Sequence, residues 1–306
     1  MKVAALDLGT NTFLLLVAEV ESGRVVRVYH DEARVVRLGQ DVDRSRRFHP
    51  EALARAKECL KDYSAIIRSQ GVESVLGCAT SAARDVENRQ DLIQIGADCG
   101  IPIEVISGER EAELTFVGSL PDDVAGLVQV IDIGGGSMEI VLGDKSGLFT
   151  RRSFNIGSVR LTEKFVSRHP IPPHELEKMR EFAREELENL GPMYASAQVD
   201  PPGLRTIAVA GTATTLAAID QGLAFESERV HGHRLTLEKL ESWIERMAAM
   251  TVEERQRLAG MEPKRADVIV AGAVILKEAG LKMGARELEV SVRGLRYGIA
   301  RSMEGQ

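Results

Sequence analysis

Aromatic side chains are scarce, with 8 Phe, 4 Tyr and 1 Trp in 306 residues. That is too few for the stacking platforms on which single-stranded nucleic acid lies. Basic residues are in the minority, 39 Lys plus Arg against 46 Asp plus Glu, for a net charge of −7. Without a basic footprint the chain is no general nucleic-acid binder. An anionic partner must instead be drawn in locally, by a few arginines, backbone N–H groups or a metal. Cysteine is limited to Cys59, Cys78 and Cys99, an odd number with no C-x-x-C spacing. This excludes a disulfide framework and a zinc ribbon and reads as a reducing cytosol. No apolar run reaches the ~20 residues of a membrane span; the longest are Phe13–Ala18 and Val268–Leu276. The opening Lys2-Val3-Ala4-Ala5-Leu6-Asp7 has no small-residue cleavage site, so no signal peptide is expected. What remains, 44% hydrophobic and 28% charged, is the composition of a soluble cytoplasmic protein, long enough for two domains at ~100–200 residues each.

The patterning predicts an α/β fold. Val3–Leu6, Phe13–Val20 and Val25–Tyr29 are apolar runs separated by Asp7-Leu8-Gly9-Thr10-Asn11-Thr12 and by Glu21-Ser22-Gly23-Arg24. They read as a three-stranded meander. Leu53, Ala56, Leu60, Tyr63 and Ile67 recur at helical spacing from Pro50 to Arg68. A strand over Val75–Ala79 is followed by a helix capped at Thr80-Ser81 and running through Ile95. Another strand, Pro102–Ile106, leads to a helix opened by Ser107-Gly108 and broken at Pro121. A second meander occupies Val128–Ile133, Met138–Leu142 and Leu148–Asn155. Beyond it come a long amphipathic helix from Pro172 to Tyr194, a strand over Thr206–Ala210 running into a helix, and a mostly helical remainder broken by a strand at Glu287–Val292.

The two meanders are repeats. Val3-Ala4-Ala5-Leu6-Asp7-Leu8-Gly9-Thr10-Asn11-Thr12 matches Val128-Gln129-Val130-Ile131-Asp132-Ile133-Gly134-Gly135-Gly136-Ser137. The Ser22-Gly23 turn recurs at Ser146-Gly147, and Val36-Arg37-Leu38 at Val159-Arg160-Leu161. Three landmarks in one order point to two similarly built domains facing each other. The expected division is 1–121 and 122–292, with the last helix, 293–306, packing back on the first domain.

The loops carry the chemistry. An Asp ending a buried strand, then Gly and small hydroxyl residues, exposes N–H and O–H donors that suit anionic oxygens. Neither loop is a Walker A or a G-x-G-x-x-G loop. Asp7 and Asp132, each alone, read equally as turn formers. Their equivalence across the repeat, with Glu139 just beyond the glycines, makes them candidate Mg²⁺ ligands, because that ion takes one or two carboxylates plus water and substrate oxygens. Gly211-Thr212-Ala213-Thr214 at a strand-to-helix turn suits an anion or is an ordinary cap. Arg84 could grip phosphate bidentately. Glu109 and Glu111, in a first helical turn, complement the helix dipole; taken alone that role is the weightier one. His231-Gly232-His233 reads as a loop rather than a ligand pair.

Taken together these segments resemble the Ppx/GppA phosphatases, a family of exopolyphosphatases and guanosine pentaphosphate phosphohydrolases. The resemblance is carried in order by Leu6-Asp7-Leu8-Gly9-Thr10-Asn11-Thr12, Val36-Arg37-Leu38-Gly39, Thr80-Ser81-Ala82-Ala83-Arg84, Ser107-Gly108-Glu109-Arg110-Glu111-Ala112, Ile131-Asp132-Ile133-Gly134-Gly135-Gly136-Ser137-Met138-Glu139, Gly211-Thr212-Ala213-Thr214 and Gly294-Leu295-Arg296. It implies two duplicated ribonuclease H-like domains of the actin-like ATPase superfamily, with the active site in an interdomain cleft. It also implies Mg²⁺-assisted removal of the terminal phosphate of polyphosphate or of the 5′ γ-phosphate of pppGpp, and homodimers occur in such families. By the same resemblance Glu111 is the catalytic glutamate. Asn11, Thr12, Arg84, Gly135, Gly136, Ser137, Gly211 and Thr212 contact phosphate, and Asp7, Asp132 and Glu139 handle metal. Two positions depart from the family pattern. Arg110 replaces the first Glu of a pair, adding charge that could tune substrate preference, and Met138 replaces a Thr, leaving Ser137 to bind more. Longer members carry further C-terminal domains, so an end at Gln306 implies short chains or nucleotides as substrates. A phosphotransferase of the same architecture, or a sensor that binds polyphosphate without turnover, are the rival readings.

Overall fold

In a computed structural model, residues 1–121, 123–197 and 204–304 are described. The chain crosses between two units after Gly118 and again after Val292, so that the segment beginning at Arg293 belongs with Met1–Gly118, and Ser119–Val292 forms the other unit.

The first unit is built on β1 (Lys2–Leu8), β2 (Thr12–Glu21), β3 (Arg24–Val35), β4 (Ser74–Ala79) and β5 (Ile103–Val105), in the order β3-β2-β1-β4-β5. β1, β2 and β3 are antiparallel, whereas β4 and β5 run parallel to β1. Ser22 and Gly23 both have positive φ, the geometry a two-residue hairpin loop demands. Its helices are α1 (Val42–Ser45), α2 (Pro50–Gln70), α3 (Ser81–Arg84), α4 (Arg89–Asp98) and α5 (Gly108–Ser119). α2 starts on Pro50, where a missing N–H costs nothing, and stops at left-handed Gly71. Of the residues the spacing singles out, Ala56, Leu60, Tyr63 and Ile67 are buried in this unit's core and Leu53 packs against it partly buried, with Ala52 buried beside it.

The helix expected from Thr80 through Ile95 is two helices, α3 and α4, with a break at 85–88. Tertiary bonds cause the break. Asn88 Oδ1 accepts the Phe48 N–H at 2.8 Å, and the Glu87 N–H is given to the Arg46 carbonyl at 3.0 Å. Those groups tie the segment to a neighbouring loop and are lost to the helix ladder.

The second unit has β6 (Val128–Ile133), β7 (Met138–Asp144), β8 (Gly147–Phe154), β9 (Arg205–Val209), β10 (Arg234–Thr236) and β11 (Glu287–Val290), ordered β10-β11-β9-β6-β7-β8. Taken from the β8 end, β8-β7-β6-β9-β11 repeats the first unit's order and its strand senses, with β10 added at the far edge. The duplicated α/β architecture is therefore present in five strands of each sheet. The helices are α6 (Ser158–Phe165), α7 (Pro173–Glu186), α8 (Leu190–Ala197), α9 (Ala210–Gln221), α10 (Ser227–Val230), α11 (Leu237–Ala248), α12 (Val252–Gln256) and α13 (Ile269–Lys282). α13 is apolar on nearly every side and is buried accordingly at the centre of this unit's core.

The single helix expected from Pro172 to Tyr194 is also divided, into α7 and α8, with a turn at 187–189. Pro192 has no N–H for the carbonyl of residue 188, so an unbroken helix cannot pass it. The Glu188 N–H is given instead to the Glu185 carbonyl at 3.1 Å, a tighter closure that ends α7. The last element, α14 (Leu295–Ser302), packs with the first unit's core, Leu295, Ile299 and Met303 lying among Val3, Leu16 and Leu114. Among the described residues no helix is long and apolar enough to cross a membrane.

Candidate active site

In the first unit the β1–β2 tip is closed by the Gly9 N–H donating to the Thr12 carbonyl at 3.1 Å. The Asn11 carbonyl accepts two consecutive N–H groups, from Val36 and Arg37, each at 2.9 Å. In the second unit Gly134 donates to the Ser137 carbonyl at 3.0 Å, and the Gly135 carbonyl accepts from Val159 at 2.9 Å and Arg160 at 3.1 Å. The sequence echo of Val36-Arg37 in Val159-Arg160 is thus a structural device. In both units a Val-Arg dipeptide arrives from outside the hairpin and pins its tip.

Asn11 is 5% exposed and Thr12 is also buried. The side-chain Nδ2 of Asn11 is enclosed with no hydrogen-bond partner. A buried amide donor left unsatisfied costs ~1–3 kcal/mol, a cost an arriving acceptor would relieve. Thr10 Oγ1 accepts the Ala82 N–H at 3.3 Å and so links this tip to α3, the helix that ends in Arg84.

Glu111 and Arg84 come together. Glu111 lies in the first turn of α5, whose start is fixed by Ser107 Oγ accepting the Arg110 N–H at 3.2 Å. Its carboxylate is 7% exposed, and Oε2 accepts from Arg84 Nη1 at 2.7 Å. The same guanidinium nitrogen donates to the Ile106 carbonyl at 3.1 Å. Burial pushes Glu111 above the ordinary carboxylate range, and the Arg84 charge opposes that rise without cancelling it. The product is a carboxyl group that is poorly hydrated, fixed in direction and more basic than an exposed glutamate. Asp7, also in this unit, faces Cys78 across β4 and Leu14 across β2. Burial alone would push the Arg296 guanidinium down; Asp31, bonded to it at 2.8 and 2.9 Å, and then the Asp7 charge outweigh that effect and raise it.

Asp132 and Glu139 are directly opposed across β6 and β7, hence on one face of the sheet. Both are buried, Asp132 at 8% and Glu139 at 1% exposure, and Glu139 Oε1 accepts from Ser153 Oγ at 2.8 Å. Among the described residues no group of three or more His, Cys, Asp or Glu could hold a metal. Mg²⁺ does not ask for one, being bound through one or two carboxylates with water and phosphate oxygens completing its shell. The Asp132–Glu139 pair fits that requirement. Asp7 belongs to the other unit.

Gly211 and Thr212 open α9, behind Ala210, a non-glycine residue at φ +65°. The left-handed conformation costs an alanine ~1–2 kcal/mol, and it re-aims the chain at the strand-to-helix turn. The Arg265 guanidinium is packed directly on Gly211, so closely that any Cβ there would overlap it. Burial pushes this guanidinium down to about 10. Arg265 was not singled out from the sequence, where it falls within the mostly helical remainder. Arg160 was visible as part of an echo only; its Nε donates to the Gly136 carbonyl at 2.8 Å, bracing the glycine loop. Arg110 is turned to Glu113, at 3.1 Å on the exposed side of α5. The His231–His233 segment is a loop, and His233 Nε2 is hydrogen-bonded to Asp220 at 2.8 Å.

Comparison with known proteins agrees with the geometry. The model of the Ppx/GppA phosphatase family matches residues 16–306. Exopolyphosphatase 2 of Mycobacterium tuberculosis is 39% identical over 330 aligned residues, covering 99% of each chain. Among solved structures, an exopolyphosphatase from Cytophaga hutchinsonii superposes with a TM-score of 0.88 at 29% identity, covering 99% of this chain and 97% of that one. The Aquifex aeolicus PPX-GPPA enzyme does so with a TM-score of 0.79 at 30% identity, covering 99% of both. With a family match over nearly its whole length and the matching carboxylates and loops folded as described, the chain belongs to the Ppx/GppA phosphatase family and is a phosphoanhydride hydrolase.

Proposed function

We propose that the chain is an exopolyphosphatase, removing the terminal phosphoryl group of inorganic polyphosphate with Glu111 orienting the attacking water. The observation that carries this reading is the buried Glu111 carboxylate fixed by Arg84 at 2.7 Å. Phosphoryl transfer asks the protein for position and charge neutralisation more than for covalent chemistry. A carboxylate held in one direction, shielded from bulk water and more basic than usual, can align a water and take its proton as the new P–O bond forms. Asn11, Thr12, Ser137 and the N–H groups of Gly135, Gly136, Gly211 and Thr212 are assigned to the phosphate oxygens, with Arg84 beside Glu111. Asp132 and Glu139 would hold Mg²⁺, with Asp7 a further candidate. When bound, the ion would offset the charge that accumulates on the phosphate oxygens. The names of the M. tuberculosis and C. hutchinsonii relatives support polyphosphate as substrate. The 5′ end of pppGpp presents the same terminal phosphoanhydride and is the second substrate to assay.

Glu111→Gln keeps the shape and removes the charge. Phosphate release from polyphosphate in Mg²⁺ should fall by about three orders of magnitude or more, with the melting temperature close to the parent's. Only the ionised carboxylate can accept the proton. The parent's rate should therefore climb with pH through a midpoint above the ordinary glutamate value, ~4.3, and the variant should lose that limb. Near-normal release from Glu111→Gln would remove Glu111 from the reaction. Phosphate freed without any acceptor distinguishes hydrolysis from phosphotransfer, and binding without turnover over hours would mark a sensor.

A further inference from the structure

Glu111 can direct a water only as well as α5 is itself held, and what holds α5 is the last helix of the chain. α14 and α5 meet backbone to backbone. A Cβ added at Gly298 would overlap the Leu114 carbonyl, and one added at Gly118 would overlap the Gly294 carbonyl and the Gly298 nitrogen. Neither glycine has a positive φ. They are required for space, not for conformation, and any side chain at either position would drive the helices apart. Leu114 is three residues after Glu111, one turn along the same helix. At the far end of α5 a second contact fixes its height. The Arg301 guanidinium on α14 donates to the Val117 carbonyl, and through Nε to the Gly23 carbonyl at 2.6 Å. α14 is itself anchored on the sheet, because Leu295, Ile299 and Met303 are buried with Val3, Ala5, Leu16 and Ala18 as well as with Leu114 of α5. The catalytic helix is thus gauged against the sheet through α14.

We propose that Gly298, Gly118 and Arg301 are positioning residues for the reaction: they set the height of α5, and so the aim of Glu111, without touching substrate. The proposal rests on the reading of Glu111 given above.

The test is steady-state hydrolysis of polyphosphate of defined length in Mg²⁺, with Gly298→Ala, Arg301→Met and Arg301→Lys made in the full chain. A displacement near 1 Å at a reacting group costs about 100-fold in rate. Gly298→Ala should therefore lower kcat about 10- to 100-fold and leave KM within about twofold. Arg301→Met should lower kcat about 3- to 10-fold, and Arg301→Lys, which keeps a donor for Val117, should recover most of it. A general loss of structure would not spare KM and would not be rescued by lysine. The proposal is overturned if folded Gly298→Ala keeps parental kcat, if the losses appear in KM, or if Met and Lys at 301 behave alike. Should Gly298→Ala fail to fold, the two Arg301 variants decide, since they add no overlap. Glu111→Gln assayed alongside separates the two ideas. If it is active, the Glu111 reading fails; if it is inactive while the helix variants are normal, only the positioning role fails.

Discussion

The two hairpin tips share a backbone and differ in the chemistry mounted on it. Both are closed by a Gly N–H to the carbonyl three residues on, Gly9 to Thr12 and Gly134 to Ser137, and both are pinned by a Val-Arg dipeptide. The side chains have diverged within that frame. Opposite Asp132 on the neighbouring strand stands Glu139, whereas opposite Asp7 stands Leu14. The second unit therefore concentrates two buried carboxylates on one sheet face. The first offers instead an amide, a hydroxyl and, from α3 and α5, a carboxylate neutralised by an arginine. Hydrogen bonds of the main chain set the loop's shape and tolerate many sequences; charge does not. Two carboxylates buried side by side repel at short range unless a proton or a cation offsets them. On the reading proposed above, the second tip would hold the cation and the first unit the group that directs the water.

The most damaging way to break that division is to make the second tip like the first. Glu139→Leu copies the Leu14 arrangement into β7 and leaves Asp132 alone. Magnesium-dependent turnover should fall by about 100-fold or more, with the half-saturating Mg²⁺ concentration raised. Leu14→Glu, the reverse change, should restore nothing when added to it. A magnesium titration of polyphosphate hydrolysis reads both. An unchanged Mg²⁺ midpoint in Glu139→Leu would mean that the opposed pair does not hold the ion.

A smaller effect is expected at Asn11, and its form is more informative than its size. The side-chain Nδ2 has no hydrogen-bond partner among the described residues, so truncating it removes a desolvation cost and no internal bond there. Asn11→Ala should leave the melting temperature unchanged or slightly higher. KM for polyphosphate should rise about 10- to 100-fold, the worth of a hydrogen bond to a charged oxygen at ~1.5–3 kcal/mol. Thermal melts with and without substrate, together with KM, check this. A large loss of stability would show Asn11 to be a structural residue of the loop.

Much of this was legible because it is local. A strand of Val3-Ala4-Ala5-Leu6 that ends in Asp-x-Gly specifies its own hairpin, and the same pattern at Val128–Ser137 specifies the copy. Arg84 was visible as a possible phosphate grip and Glu111 as a first-turn carboxylate, and family likeness alone gave Glu111 its catalytic role. That they pair could not be read, because 27 residues separate them and the contact belongs to the fold. The helix breaks at 85–88 and 187–189 escaped the pattern for different reasons. Asn88 is bound by a distant backbone, while the break before Pro192 did carry a signal, which the apolar spacing on either side outweighed. β10 is three residues long and has no period to show. Arg265 is the clearest case of what a sequence hides: it is 54 residues from Gly211 in the chain, and only the fold lays its guanidinium there.

The smallest change expected is at Arg110, where the chain departs from its family and a basic residue sits one position from Glu111. Proximity in sequence suggests an influence on substrate preference. The side chain points elsewhere, to Glu113 at 3.1 Å, with 44% and 37% of the two side chains exposed. An exposed pair of this kind is worth ~0–1 kcal/mol and is screened by salt. Its positive charge is also offset by the partner one turn along. Arg110→Ala should therefore alter stability by less than ~0.5 kcal/mol and leave the ratio of kcat/KM for polyphosphate and pppGpp within about twofold, at low salt and at high. A ratio that moved by tenfold would put Arg110 in contact with substrate. It would also show that the first unit's chemistry reaches beyond the Glu111–Arg84 pair.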